Sequence, residues 1–130
     1  MTHSSYSIDN YRPFSILGLH VVEVSTSLRS IQKDPNVSPK DLTVRVTADT
    51  NAEACAKDGL KLGIHKLVRV SPKTNASETS VVCGAFRAIF GAVALDSGMV
   101  DSAGKAFQHV VHGRRWKLVS PTSDGWMTAI

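Results

Sequence analysis

The chain of 130 residues and 14.0 kDa is long enough for one domain with a compact core and too short for two typical domains. Hydrophobic residues at 42% and charged residues at 20% exclude a disordered chain, and no apolar run approaches the roughly 18 residues of a membrane-spanning helix, so a soluble protein without a membrane partner is expected. Lys plus Arg number 15 against 11 Asp plus Glu, a net charge of +4, which allows a polyanionic partner without demanding one.

Aromatic residues at 6% disfavour a single-strand binder built on stacking. Met1 to Tyr6 is polar and has neither a signal-peptide core nor an amphipathic Arg-rich stretch. Two cysteines are too few for a disulfide scaffold and lie inside helical patterns. They point to a reducing, intracellular compartment, with mitochondrion, plastid and nucleus all left open.

The elements follow as helices joined by short polar connections. Pro13 opens the first, and Phe14, Leu17, Val21, Val24, Leu28 and Ile31 recur at steps of three and four as one buried stripe. Asp34-Pro35-Asn36 ends it. Ser38-Pro39-Lys40-Asp41 then places a hydroxyl at the N-cap, Pro at N1 and a carboxylate at N3. The β-branched residues that follow could suit a strand, but the cap argues for a helix. Asn51 caps a third helix, which runs from Ala52 to Leu62 and stops at Gly63.

Ile64 to Val70 is a linker and Ser71 to Asn75 a loop. From Ser77 to Leu95 the chain is apolar on nearly every helical side, so this helix belongs at the centre of the fold. A last helix runs from Asp101 to His112 and closes at Gly113. The expected organisation is an all-α bundle over 1–112, followed by a basic and then polar tail over 113–130.

The central segment Ala85-Phe86-Arg87-Ala88-Ile89-Phe90-Gly91-Ala92-Val93-Ala94-Leu95-Asp96-Ser97-Gly98 resembles the ribonuclease III motif D-x-x-E-A-x-x-G-A-x-x-L-D-x-G. Thr2-His3-Ser4-Ser5-Tyr6 is similar to that family's T-H-x-S-Y. Asn10 through Gly18 is similar to its signature N-E-R-L-E-F-L-G-D, with Leu17-Gly18 in register and one extra residue early on. Asp41-Leu42-Thr43 and Asn51 fall where the family has D/E-L-T and a capping Asn. The likeness is greatest to short plant members of the nuclear-fusion-defective type, which lack a double-stranded-RNA-binding domain. In the family a first helix precedes T-H-x-S-Y, so the resemblance implies that this helix is missing from the domain here.

The resemblance implies a ribonuclease III-like helical bundle, and an activity only if the metal site is present. Ribonuclease III cleaves double-stranded RNA with Mg²⁺ held by carboxylates on two packed helices, an oxygen-ligand set that suits a hard cation. In register, those carboxylates fall on Ser15, Leu19, Gly84 and Arg87. None is acidic, so no catalytic residue, metal ligand or cofactor is expected, and the reading is a degenerate relative. Asp41 stands near an accessory acidic position of the family, and Glu23 lies two turns beyond Leu19. They are the residues that could rescue a metal site.

Arg87 could hold an RNA phosphate bidentately or form a salt bridge to Glu23 or Asp41. Arg114, Arg115 and Lys117, with Trp116 beside them, could contact an RNA backbone or simply be solvated. His109 and His112, at i,i+3, have no supporting ligand cluster for zinc, and His20 reads as a core or interface residue. Cys55 and Cys83 read as small buried hydrophobes. Asn36-Val37-Ser38 and Asn75-Ala76-Ser77 match the glycosylation sequon, which matters only in a secreted chain.

Family members dimerise through the signature helix, where a bulky apolar side chain enters a pocket on the partner. Ile16 holds that position, which implies a homodimer or a heterodimer with a catalytic relative. The leading expectation is a non-catalytic domain that binds structured or double-stranded RNA or a ribonucleoprotein during RNA processing. The alternatives are an active double-strand-specific endoribonuclease with a rearranged Mg²⁺ site and a protein-interaction scaffold.

Overall fold

The computed structural model describes residues 1–3 and 10–119, with side chains through residue 112. Five helices follow in order: α1 (Arg12–Lys33), α2 (Pro39–Thr50), α3 (Ala52–Lys61), α4 (Thr79–Ser97) and α5 (Val100–Val119), with a 3-10 turn at Ile64–Lys66 between α3 and α4. Among the described residues there is no strand beyond one isolated bridge between Thr2 and Arg69. The bundle is the all-α one expected from the sequence.

The caps form as their residue types require. The Ser38 hydroxyl accepts the Asp41 N–H at 3.1 Å, and Asn51 Oδ1 accepts the Ala54 N–H at 2.8 Å, each supplying a partner for an orphan donor of the first turn. With Pro39 at the start of α2, these contacts make the β-branched segment helical despite its propensity. Gly63 and Gly98 end α3 and α4 at φ of 72° and 70°, the left-handed conformation that favours glycine.

α4 is the core helix, with α1, α3 and α5 packed around it. Phe86 and Phe90 on α4 meet Phe107 of α5 edge-on, at centroid separations of 6.3 and 5.4 Å, a favoured aromatic geometry. Val81, Val82 and Ala85 complete this core with Val21 and Val22 of α1 and Ala103 of α5. By length and a mean hydropathy of 1.4, α4 is apolar enough to cross a bilayer. This corrects the sequence reading that no segment is. Half of that window is buried against the rest of the domain, as a central bundle helix requires.

The expected α1 stripe holds in its first half, where Val21 is buried and Phe14 and Leu17 pack against the core, and fails beyond it. Gly18, Val21, Val22, Thr26 and Ser30 face inward, whereas Val24, Leu28 and Ile31 are 55%, 52% and 45% exposed. The cause is close helix approach. A Cβ on Gly18 would overlap the Arg87 carbonyl, and one on Gly91 would overlap the Phe14 carbonyl. Small residues therefore decide which side of α1 meets α4, and Val24, Leu28 and Ile31 turn outward.

Two further expectations are corrected. α5 passes through Gly113 to Val119, so the last helix does not close at Gly113. An interior glycine costs a helix only about 1 kcal/mol, and good helix formers follow it. Cys55 and Cys83 are buried, as expected, but they are bonded to each other as a disulfide between α3 and α4. Their 28-residue separation hid a pairing that only the packing of α3 against α4 creates. The pairing also removes the cysteine-based argument for a reducing compartment.

Before α1, the chain runs beside the linker that follows the 3-10 turn. The His3 N–H donates to the Arg69 carbonyl at 3.0 Å and the Arg69 N–H to the Met1 carbonyl at 2.9 Å. His3 then lies edge-on to Tyr11, whose hydroxyl donates to the Val81 carbonyl at 3.1 Å. Burial pushes the Tyr11 phenol up to about 12. Ser4, Ser5 and Tyr6 lie outside the described residues.

Candidate functional site at the crossing of α1 and α4

The crossing brings two of the four positions singled out in the sequence into direct contact. Ser15 Oγ donates to the Gly84 carbonyl at 2.5 Å and lies 3.4 Å from the Tyr11 carbonyl. A Cβ placed on Gly84 would stand 3.7 Å from that hydroxyl, so side chains at positions 15 and 84 share one space. Arg87 follows one turn along α4, where its own carbonyl abuts Gly18. Leu19, half-buried, follows one turn along α1.

Arg87 does not make the salt bridge offered as one of its alternatives. Its Nη2 donates to the main-chain carbonyl of Thr50 at the end of α2. Partial burial holds the guanidinium below its ordinary range, while the charge of Glu23 opposes that shift. Glu23 itself pairs with His20 at 3.1 Å on the outer face of α1, where both side chains are well exposed. His20 is thus a surface residue and not a core one. Asp41 is exposed in the first turn of α2, with its N–H bound to Ser38.

A divalent cation does not fit this donor set. Ser15 offers a neutral hydroxyl already spent on Gly84, Leu19 offers nothing, and Arg87 brings a positive charge, whereas Mg²⁺ is held by oxygen ligands that include one or two carboxylates. Among the described residues, no group of three His, Cys, Asp or Glu side chains is placed to hold a metal. His109 is exposed, and His112 turns to Asp49.

That contact belongs to a network with no clear mark in the sequence. Asp49 Oδ2 accepts from Thr26 Oγ1 at 2.7 Å and lies 3.5 Å from His112 Nε2, joining α2 to α1 and α5. Burial drives the Asp49 carboxyl upward, but hydrogen bonds from His112 and Thr26 and the charges of His112 and Arg29 outweigh it, so the group sits below the usual carboxylate range. Asp58, on α3, shifts the other way, raised chiefly by burial. In sequence Asp49 stands only as part of the break before the Asn51 cap, which is too weak a signal to mark a half-buried ion.

Ile16 points outward from α1 and is 55% exposed. The side chains of Arg114, Arg115, Trp116 and Lys117 lie outside the described residues, although their backbone continues α5.

Residues 13–98 match the model of the ribonuclease III domain. The chain is 46% identical over 121 residues to the Arabidopsis thaliana protein NUCLEAR FUSION DEFECTIVE 2, covering 92% of the chain and 63% of that relative. It therefore spans less than two thirds of the relative's length. Two solved structures of the Campylobacter jejuni ribonuclease III nuclease domain share the fold. One superposes with a TM-score of 0.80 over 86% of this chain and 81% of that one. The other gives 0.78 over 87% and 80%. Both are 21% identical, a likeness that speaks for the fold alone. The five-helix bundle, the motif order and these matches agree: the chain belongs to the ribonuclease III domain family.

Proposed function

We propose that this domain binds structured or double-stranded RNA in an RNA-processing role, without the metal-assisted cleavage of its family. The observation that carries the reading is the chemistry at the α1–α4 crossing, where Ser15, Leu19, Gly84 and Arg87 stand at the positions that the family motifs give to metal-binding carboxylates. Phosphodiester hydrolysis by a bound divalent ion needs that ion to activate water and to neutralise the phosphate. A hydroxyl, an apolar side chain, a glycine and a guanidinium neither hold that ion nor activate water, although a guanidinium can still neutralise a phosphate. The net charge of +4 supports a polyanionic partner.

The functional state of the domain is a dimer in this reading, either with a second copy or with a catalytic relative. The Campylobacter jejuni nuclease domain has a region involved in dimer formation, and the exposed Ile16 supplies an apolar anchor in the signature helix of this chain. Arg114, Arg115 and Lys117, carried on the last turns of α5, are the further RNA contacts of this reading.

The test is incubation of purified protein with labelled double-stranded RNA in Mg²⁺ or Mn²⁺, alongside a mobility shift over a salt series. A shift that weakens with salt and an intact RNA support the proposal. Specific cleavage lost in Asp41→Asn establishes a rearranged active site instead, and no salt-dependent shift at all favours a protein-interaction scaffold.

A further inference from the structure

A second polar cleft, of about 620 Å³, opens where the C-terminal halves of α1 and α2 meet α5. Three helices contribute cationic or titratable groups to it: Arg29 and Lys33 from α1, Arg45 from α2 and His112 from α5. Arg29 and Lys33 are four residues apart and so share one face of α1.

The acidic groups in the wall are already engaged. Asp49 holds its bonds to Thr26 and His112. Asp34 pairs with Arg45 only at 3.7 Å, and both side chains are more than 40% exposed. Such a pair is screened and weak, so a more highly charged anion can take Arg45 from it. On the cleft wall, Gln108 is 5% exposed. Its Nε2 donates to Ser25 Oγ at 3.1 Å, while its Oε1 is buried with no hydrogen-bond partner.

We infer that this cleft is a phosphate-binding site for RNA, separate from the α1–α4 crossing and independent of any metal. The inference rests on the proposed RNA-binding reading and gives it a location. Guanidinium and ammonium groups from separate elements line one cleft and form a donor set for phosphate oxygens. The position fits a continuous track. Arg87 is anchored on Thr50, the neighbour of Asp49, so the crossing and the cleft both adjoin the end of α2. The backbone of α5 continues past His112 into the segment that carries Arg114 and Arg115.

The test is a binding titration of fluorescent double-stranded RNA over a salt series, comparing the unmodified chain with Lys33→Gln/Arg45→Gln. Both residues are exposed, so the variant keeps the fold, which circular dichroism checks. Lys57→Gln/Lys61→Gln on α3 removes the same net charge elsewhere and serves as the control. The expected result is weaker binding of the cleft variant, with the slope of log K against log salt falling by about one for each charge removed, and a smaller effect in the control. A duplex with a 5′-phosphate that loses more affinity in the cleft variant than a 5′-hydroxyl duplex identifies a terminal phosphate as the ligand. Equal losses identify the phosphodiester backbone.

Binding by the cleft variant with unchanged affinity and slope overturns the site while leaving RNA binding in place. An equal loss in the control also overturns it, because the effect is then one of net charge. Absence of RNA binding in the unmodified chain overturns both the site and the reading beneath it.

Discussion

Gly18 on α1 packs so closely against the main-chain carbonyl of Arg87 on α4 that no side chain fits between them. The partner atom is backbone inside a central helix, which cannot rotate away as a side-chain tip would. Gly18→Ala is therefore expected to destabilise the domain by about 3 kcal/mol, at the upper end of overpacking costs. Gly63→Ala meets no atoms and costs only about 1–2 kcal/mol for its left-handed backbone. Denaturant unfolding of the two variants checks the order.

The Asp49 network predicts an acid-sensitive stability. A carboxyl held below its unfolded value of 3.8 adds stability that is complete above that value and is lost as pH falls through the folded one. Asp58 is raised, so it has the opposite sign and subtracts stability as pH rises through its window. Asp49→Asn is expected to cost about 1–3 kcal/mol at neutral pH, the worth of hydrogen bonds to a charged group. Its unfolding free energy should then fall less steeply below about pH 4 than that of the unmodified chain. Parallel acid profiles for the two proteins would remove Asp49 from the account.

The disulfide between Cys55 and Cys83 closes a long loop and ties α3 to the core helix. Reduction is expected to lower stability by about 2–4 kcal/mol, read as a drop in thermal midpoint on adding a reductant. The variant Cys55→Ala/Cys83→Ala should show no response to the same reductant. Two free thiols in the oxidised, denatured protein would contradict the bond.

Ile16 is an exposed apolar residue within the signature motif of α1. Ile16→Asp places a charge in the centre of the proposed dimer contact and is expected to give a monomer by sedimentation, with the thermal midpoint of the fold little changed. A dimer that survives the substitution refutes this contact.

Much of the fold is legible in the sequence because its signals are local. Ser38-Pro39-Lys40-Asp41 and Asn51 fix two helix starts through bonds within a few residues. The apolar run of α4 needs burial on all sides wherever it sits. What the sequence did not carry depends on how close two helices come. The stripe from Phe14 holds as far as Val21, and beyond it the buried face passes to Val22, Thr26 and Ser30; both faces have helical spacing, and the fit of Gly18 and Gly91 at the crossing selects between them. The Cys55–Cys83 pairing and the Asp49 network likewise join residues far apart in sequence, so no spacing rule brings them together. For the site, the motifs marked Ser15 and Gly84, which the fold does bring into contact, while the Thr50 carbonyl as the partner of Arg87 required the path of α2.

The chemistry between Ser15 and Arg87 decides whether the domain can hold a catalytic metal. The most direct measurement is a Mn²⁺ titration followed by amide NMR, in which a bound paramagnetic ion broadens the signals nearest to it. The expected result is no selective broadening at Ser15, Leu19, Gly84 and Arg87 at millimolar metal. Saturable broadening centred on those amides, abolished by Glu23→Gln or Asp41→Asn, would contradict the degenerate site and restore a metal-dependent nuclease.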